Sequence, residues 1–109
     1  MNWKIVYTQK AFEDLDGIVD YISNVLLEPE IAKNLFNLIV REIKGLNQLP
    51  MRHRLWDDEP WRSQGVRVMR VKNYLVFYYP NEKSKEVVVF HVFYGGRNID
   101  ELLDKQPKK

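Results

Sequence analysis

The sequence has no cysteine, which excludes a disulfide framework and a thiolate metal site. Two histidines alone do not favour a zinc site, and we expect no metal or other cofactor. No apolar run approaches the roughly 20 residues that span a bilayer, and the N-terminal residues MNWKIVYTQK lack the apolar stretch of a secretory signal. These absences favour a cytoplasmic protein with no membrane partner.

The 109 residues are 45% hydrophobic and 29% charged, a composition typical of one soluble globular domain. We predict this domain over residues 1–104, with a frayed tail at 105–109. Residues 1–50 carry 5 Lys/Arg and 7 Asp/Glu, whereas residues 51–109 carry 12 and 8, so the net charges are −2 and +4. The simplest explanation of this charge asymmetry is an ordinary solvated surface. A sharper interpretation is a basic half that faces a polyanion.

Two amphipathic helices are predicted between a short strand at Trp3–Tyr7 and Pro50. Thr8 suits the N-cap of the first helix, and Pro29 suits the first turn of the second. Apolar residues recur at helical spacing at Ala11, Phe12, Leu15, Ile18, Val19, Ile22, Val25 and Leu26, and again at Ile31, Ala32, Leu35, Phe36, Leu38, Ile39, Ile43 and Leu46. The short connection between the two helices predicts an antiparallel hairpin.

The second half of the chain predicts three strands rich in β-branched and aromatic residues, at about 66–71, 74–79 and 86–94. Residues 51–64 have no periodicity and predict a polar loop, and residues 98–103 can form one last helical turn. Successive strand residues face opposite sides, so one of Tyr78 and Tyr79 belongs to the core. The order of elements predicts an α+β domain, with a helical hairpin packed on a mostly antiparallel sheet.

Five segments of the chain occur in a characteristic order and spacing: WKIVYTQKAFEDL, a second helix ending near LNQLP, DEPWRSQGVRVMRV, KNYLVFYYP and VFYGGRN. In these segments the chain resembles the RelE/ParE family of bacterial type II toxins along nearly its whole length. The resemblance implies the RelE-like microbial ribonuclease fold and a toxin that a cognate antitoxin neutralises. RelE-like members cleave mRNA in the ribosomal A site, whereas ParE-like members inhibit DNA gyrase.

RelE-like cleavage implies metal-independent attack of a ribose 2′-hydroxyl on the adjacent phosphate. The reaction needs a proton acceptor, cations that hold the charged phosphorane, and a proton donor for the leaving oxygen. Arginine suits the cationic role because its planar guanidinium stays charged and binds phosphate through two hydrogen bonds. The catalytic candidates are Arg67, Arg70, Arg97, Tyr94, His91 and Glu59. The candidate RNA contacts are Arg52, Arg54, Trp56, Trp61 and Arg62.

Structural roles compete with each of the arginine assignments. Arg67 and Arg70 lie three positions apart on one predicted strand, so they point to opposite faces if the strand is regular. One of them can therefore contact nucleic acid while the other is solvated or pairs with the acidic residues 57–59. Arg97 follows the last strand and can act on phosphate or pair locally with Asp100.

The other candidates also have simpler explanations. A lone histidine inside an apolar strand, as at His91, is more often a hydrogen-bonded sheet residue than a catalyst. Tyr94 falls on the opposite face of the same strand and needs nearby arginines to act as a base. Glu59 is more simply an exposed loop carboxylate, and Trp56 and Trp61 can cover the edge of the core.

The chain departs from the RelE pattern at several positions. Leu75 follows Tyr74 where that pattern has an arginine, and Leu102-Leu103 stands where it has a C-terminal tyrosine. Three hypotheses follow. Arginines with neighbouring aromatics favour a ribosome-dependent mRNA endonuclease, with the ribosome and mRNA as partners. The missing acid–base set favours a non-enzymatic inhibitor of DNA gyrase. A decayed toxin that retains only antitoxin binding is the third.

Overall fold

A computed structural model describes residues 2–95 of the chain. The main elements are β1 (Lys4–Tyr7), α1 (Gln9–Asp20), a π-helical turn (Tyr21–Val25), α2 (Pro29–Lys44), β2 (Arg67–Val71), β3 (Tyr74–Asn81) and β4 (Glu86–Tyr94). The sheet order is β1-β4-β3-β2, with β1 parallel to β4 and the other pairs antiparallel. The predicted α+β architecture is therefore confirmed. The predicted helical turn at 98–103, the tail and Arg97 lie outside the described residues.

Local sequence features begin both helices where the sequence predicts. The Thr8 hydroxyl accepts a hydrogen bond from the Ala11 N–H at 3.1 Å, and Pro29 occupies the first turn of α2. No helix among the described residues is long and apolar enough to cross a membrane.

The prediction that the first helix runs regularly to Leu26 is wrong. After Asp20 the backbone widens into the π-helical turn, in which the Leu26 N–H donates to the Tyr21 carbonyl at 3.0 Å. This wider turn breaks the 3.6-residue period, so Val25 and Leu26 leave the apolar stripe and are 61% and 50% exposed. The hairpin then turns through Leu27, whose φ is 58°.

The sheet buries side chains on both faces. Its inner face packs against the helices, and the buried residues of this main core are Ala11, Leu15, Ile39, Ile43, Leu46, Met69, Val71, Val76, Tyr78, Val87, Val89 and Val92. A second cluster on the outer face contains Val66, Val68, Phe77 and Phe93 and is covered by the loop before β2. Tyr78 is fully buried and its hydroxyl donates to the Pro50 carbonyl at 2.6 Å, whereas Tyr79 is exposed. Burial raises the pKa of Tyr78 to about 12, so this hydroxyl remains a donor at neutral pH.

Strand β4 contains a bulge, and a side chain of α1 accepts one of its backbone hydrogen bonds. Phe77 lies opposite His91 whereas Tyr78 lies opposite Val89, so Phe90 is an extra residue in β4. Strand β1 pairs with β4 only as far as Val89. Beyond that point Asp14 of α1 takes the place of a strand, because its Oδ2 accepts the Val92 N–H at 3.0 Å and lies 3.2 Å from His91 Nδ1.

Replacing Gly17 tests the packing around α1. Gly17 is exposed inside α1, and a Cβ built on it meets no atom within 4 Å. Alanine loses less backbone entropy in a helix, so Gly17→Ala should raise the free energy of unfolding by about 0.5–1 kcal/mol. Urea denaturation of the two proteins measures the difference. A lower stability in the alanine variant would show that the position is not open.

Candidate functional site

Arg67 and Arg70 lie on opposite faces of β2, as the alternation of a regular strand predicts. Arg67 alternates with Met69 on the helix side, and its Nη1 donates to the carbonyls of Met51 at 3.2 Å and His53 at 2.6 Å. Arg70 is exposed on the outer face. Arg67 is thus engaged by the backbone of the preceding loop rather than by the acidic residues 57–59.

Arg52 and Arg54, on the segment before β2, also make contacts within the protein. Arg52 Nη1 donates to the Gln48 carbonyl at 2.7 Å and to the Leu49 carbonyl at 3.3 Å, which satisfies backbone groups just beyond α2. Arg54 lies 3.5 Å from an Asp57 carboxylate oxygen, and its guanidinium carbon is 5.7 Å from the centroid of Trp56. Arg62 is exposed on the same loop.

Trp56 and Trp61, considered either for stacking on RNA bases or for covering the edge of the core, pack against the outer face of the sheet. The ring centroids of Trp56 and Phe77 are 5.0 Å apart in an edge-to-face arrangement. Trp61 stacks on Phe90, with centroids 5.6 Å apart. Both tryptophans are half-buried, so at least one side of each indole is occupied by the protein's own core.

Glu59 lies on this outer-face loop, away from the helix-side face to which Tyr94 belongs. Its carboxylate accepts the backbone N–H of Ser63 at 3.0 Å. Hydrogen bonds from the Ser63 hydroxyl and backbone N–H lower the pKa of the Glu59 carboxyl. A carboxylate held in its ionised form in this way is a weaker proton acceptor.

His91 is a buried link between β4 and α1. The residue is 4% exposed, and its ring stacks on Phe93 with centroids 4.8 Å apart. Its Nδ1 faces Asp14 Oδ2, and the other carboxylate oxygen of Asp14 lies 3.6 Å from Lys10 Nζ. The geometry matches the hydrogen-bonded sheet histidine considered from the sequence.

Tyr94 opens onto a cleft of about 910 Å³ between the helical hairpin and the ends of β3 and β4. It is 46% exposed and meets Tyr74 edge-to-face at 5.5 Å. The cleft is lined by Lys10, Glu13, Asp14, Gly17, Ile18, Tyr21, Ile22, Leu26, Glu28, Ile31, Tyr74, Val92, Phe93 and Tyr94. Among the described residues, this lining has three carboxylates and one ammonium group, a balance that disfavours a phosphate dianion.

Sequence reasoning missed the apolar rim of this cleft. Val25, Leu26 and Ile31 were assigned to the core by periodicity, yet each is at least half exposed, as are Tyr21 and Leu27. The Glu28-Pro29 step just after Leu26-Leu27 was the available clue, because apolar residues beside a turn have fewer neighbours to cover them. Several exposed apolar side chains near one turn are typical of a protein-binding site.

The family of this fold is defined by comparison with known proteins. The family model described as ParE toxin of type II toxin-antitoxin system, parDE, matches residues 5–99. The chain therefore belongs to the ParE toxin family of type II toxin–antitoxin systems. Among curated proteins, no sequence matches this chain.

Solved structures of type II toxins share the fold. A chain of the chromosomal ParDE system from P. aeruginosa is 26% identical with a TM-score of 0.69, and the match covers 84% of this chain and 95% of that one. The RelBE2 toxin–antitoxin complex from Mycobacterium tuberculosis matches at 21% identity and TM-score 0.62, over 86% and 92%. A mutant of the E. coli toxin RelE in its free state matches at 9% identity and TM-score 0.66, over 96% and 94%. The last two similarities concern the fold alone.

Alanine variants of Arg67 and Arg70 should differ in stability. Arg67→Ala removes charge-assisted hydrogen bonds from two backbone carbonyls and should lower the free energy of unfolding by about 1.5–3 kcal/mol. Arg70→Ala is the matched control on the same strand and should change it by less than about 0.5 kcal/mol. Chemical denaturation of both variants decides the point, and equal stabilities would mean that Arg67 is not a structural residue.

Proposed function

We propose that this protein is the toxin of a type II module and that it acts as ParE-like family members do, by binding and inhibiting DNA gyrase. The observation that carries the proposal is the separation of Arg67 and Arg70, the two described candidates for phosphate binding. Arg67 is engaged by the Met51 and His53 carbonyls, and Arg70 lies on the other face of the sheet. A surface that binds a protein does not need a cluster of arginines.

The energetics of RNA cleavage argue in the same direction. Metal-free transesterification builds negative charge on the phosphorane, and the loss of one stabilising donor typically slows such a step by about 10²–10³. The exposed Tyr94 hydroxyl faces a cleft whose described lining has Glu13, Asp14 and Glu28 against Lys10. Carboxylates there repel the phosphate that an RNA substrate would bring.

The family comparison and the apolar surface support a protein-binding role. The ParE family model spans residues 5–99, and the 26% identical chain comes from a ParDE system. The hairpin tip exposes Tyr21, Val25, Leu26, Leu27 and Ile31. We infer that this surface serves protein partners, of which a cognate antitoxin is one.

The alternative is a ribosome-dependent mRNA endonuclease. One observation favours it, namely that Tyr94 presents a phenol hydroxyl at the mouth of a large cleft. In that case Tyr94 supplies the proton transfer, and a cation from elsewhere must stabilise the phosphorane.

Two assays run in parallel on the purified toxin distinguish the functions. We expect inhibition of gyrase-catalysed supercoiling and no cleavage of ribosome-bound mRNA in single-turnover reactions. Tyr94→Phe keeps the aromatic ring, so it should inhibit gyrase as the parent does. The product of a small neighbouring gene that co-purifies with the toxin should reverse the inhibition.

The same two assays can also contradict the gyrase proposal. Cleavage of ribosome-bound mRNA that slows by about 10²–10⁴ in Tyr94→Phe would establish the endonuclease instead. Equal cleavage by both proteins would also contradict the gyrase proposal and would remove Tyr94 from the mechanism. Inactivity in both assays would indicate a toxin that has lost its activity.

A further inference from the structure

Four exposed lysines lie at the end of the sheet opposite to the Tyr94 cleft. Strand β1, strand β4 and the 3₁₀ turn Gly45–Asn47, which follows α2, meet at this end. The Trp3 N–H donates to the Asn47 carbonyl at 2.8 Å, and the Lys4 N–H donates to the Lys85 carbonyl at 2.9 Å. The joined segments carry the lysines that define what we call the basic end: Lys4, Lys44, Lys83 and Lys85.

Positive and negative charges are concentrated at different ends of the molecule. The segments 2–4, 41–52 and 81–86 surround the basic end and carry six Lys/Arg and three Asp/Glu, whereas residues 9–30 carry one and six. Their net charges are therefore +3 and −5. The 16 residues of α2, about 24 Å long, separate Lys44 from the acidic hairpin turn. Residues 96–109 carry four Lys/Arg and three Asp/Glu, so their charge does not reverse this division.

The β3–β4 turn holds two of these lysines in place through its own hydrogen bonds. Asn81 Oδ1 accepts the backbone N–H of Lys83 at 3.1 Å and that of Ser84 at 3.4 Å. Lys85 has a φ of 57°, and its Nζ lies 4.9 Å from the centroid of the Trp3 ring.

The lysines of the basic end are not neutralised by carboxylates of the described chain. Within residues 2–95, none of the four forms an ion pair shorter than 4.0 Å. Glu86 lies opposite Lys4 in the pairing of β1 with β4, but its carboxylate accepts the Ser84 hydroxyl at 3.2 Å. The positive charge is therefore available to an external anion.

The residue types at the basic end indicate which polyanion it fits. A lysine ammonium is a point charge that contacts phosphate, and phosphate contacts do not read the base sequence. Binding of single strands uses open aromatic faces on which bases stack. The Trp3 ring packs against the main core and lies beneath Lys85, so it does not offer such a face. Lysines without an open aromatic ring fit the phosphate backbone of a duplex better than a single strand.

We propose that the basic end binds the phosphate backbone of duplex DNA through Lys4, Lys44, Lys83 and Lys85. The proposal rests on the proposed function, because gyrase acts on duplex DNA and a toxin bound to gyrase lies beside that DNA. The acidic residues of α1 and the hairpin turn are repelled by the same phosphates. The division of charge therefore orients the toxin with its basic end towards the duplex.

Binding of the full-length toxin to a fluorescein-labelled DNA duplex of about 20 base pairs tests this proposal without gyrase. Fluorescence anisotropy at salt concentrations between about 50 and 200 mM gives the affinity and its salt dependence. The affinity should fall steeply as salt rises, because phosphate contacts release counterions. A single-stranded RNA of the same length should bind more weakly than the duplex at each salt concentration.

Paired substitutions locate the contact. Lys83→Gln combined with Lys85→Gln should weaken duplex binding by at least about tenfold and reduce the slope of log K against log salt by about 1.8, or 0.9 for each lost phosphate contact. Lys33→Gln combined with Lys72→Gln removes the same charge from exposed positions on α2 and in the β2–β3 turn. This control pair should change the affinity by less than about threefold, because charges distant from the contact are screened.

Two further variants separate the charge from the structure of the turn. Lys83→Arg combined with Lys85→Arg keeps both charges and should retain duplex binding. Lys4→Gln combined with Lys44→Gln leaves the β3–β4 turn and the contact between Lys85 and Trp3 unchanged, and it should weaken binding by at least about tenfold. Melting curves confirm that each variant is folded.

Several results would overturn the proposal. Absence of duplex binding at the lowest salt concentration, an unchanged affinity in the two glutamine pairs at the basic end, or an equal loss in the control pair each rejects a DNA contact at this end. Tighter binding of the RNA than of the duplex would assign the basic end to RNA. Gyrase inhibition by a toxin that does not bind the duplex would reject this proposal alone. Duplex binding without gyrase inhibition would reject only the gyrase target.

Discussion

The whole arrangement depends on one carboxylate at the edge of the sheet. Strand β1 covers β4 only as far as Val89, and Asp14 then accepts the Val92 N–H and contacts His91. A buried carboxylate is costly unless it is fully hydrogen-bonded, and such a charge-assisted bond contributes about 1.5–3 kcal/mol. This contact attaches α1 to the sheet. The cleft lies beyond this contact, between the hairpin and the ends of β3 and β4.

Two of the arginines considered for RNA binding or catalysis hold the fold together instead. Arg67 and Arg52 donate to carbonyls of the segment between α2 and β2, beside the buried hydroxyl of Tyr78. That segment has little regular structure, so its backbone acceptors need side-chain donors. Among the described residues, the cleft beside the hairpin is lined by apolar side chains and by three carboxylates with one lysine, a combination that suits protein recognition better than phosphate chemistry.

The sequence predicts the elements well because their causes are local. Thr8 and Pro29 begin the helices through contacts with near neighbours, and strand alternation correctly separates Tyr78 from Tyr79. Features that depend on distant residues were not predictable. Asp14 and His91 are 77 positions apart in the sequence. The bulge at Phe90 and the carbonyl partners of Arg67 do not produce any periodic pattern in the sequence. The π-helical turn exposes apolar residues that a regular α-helix would have buried. The sequence does not signal this turn, so periodicity assigns these residues to the core.

We propose that this toxin acts by binding a protein target rather than by cleaving RNA. Inducible expression in a bacterial host, followed by mapping of mRNA 5′ ends and measurement of an SOS reporter, tests it most directly. Inhibition of gyrase should induce the SOS response while the transcripts stay intact. Cuts in phase with translating ribosomes, without SOS induction, would contradict the claim.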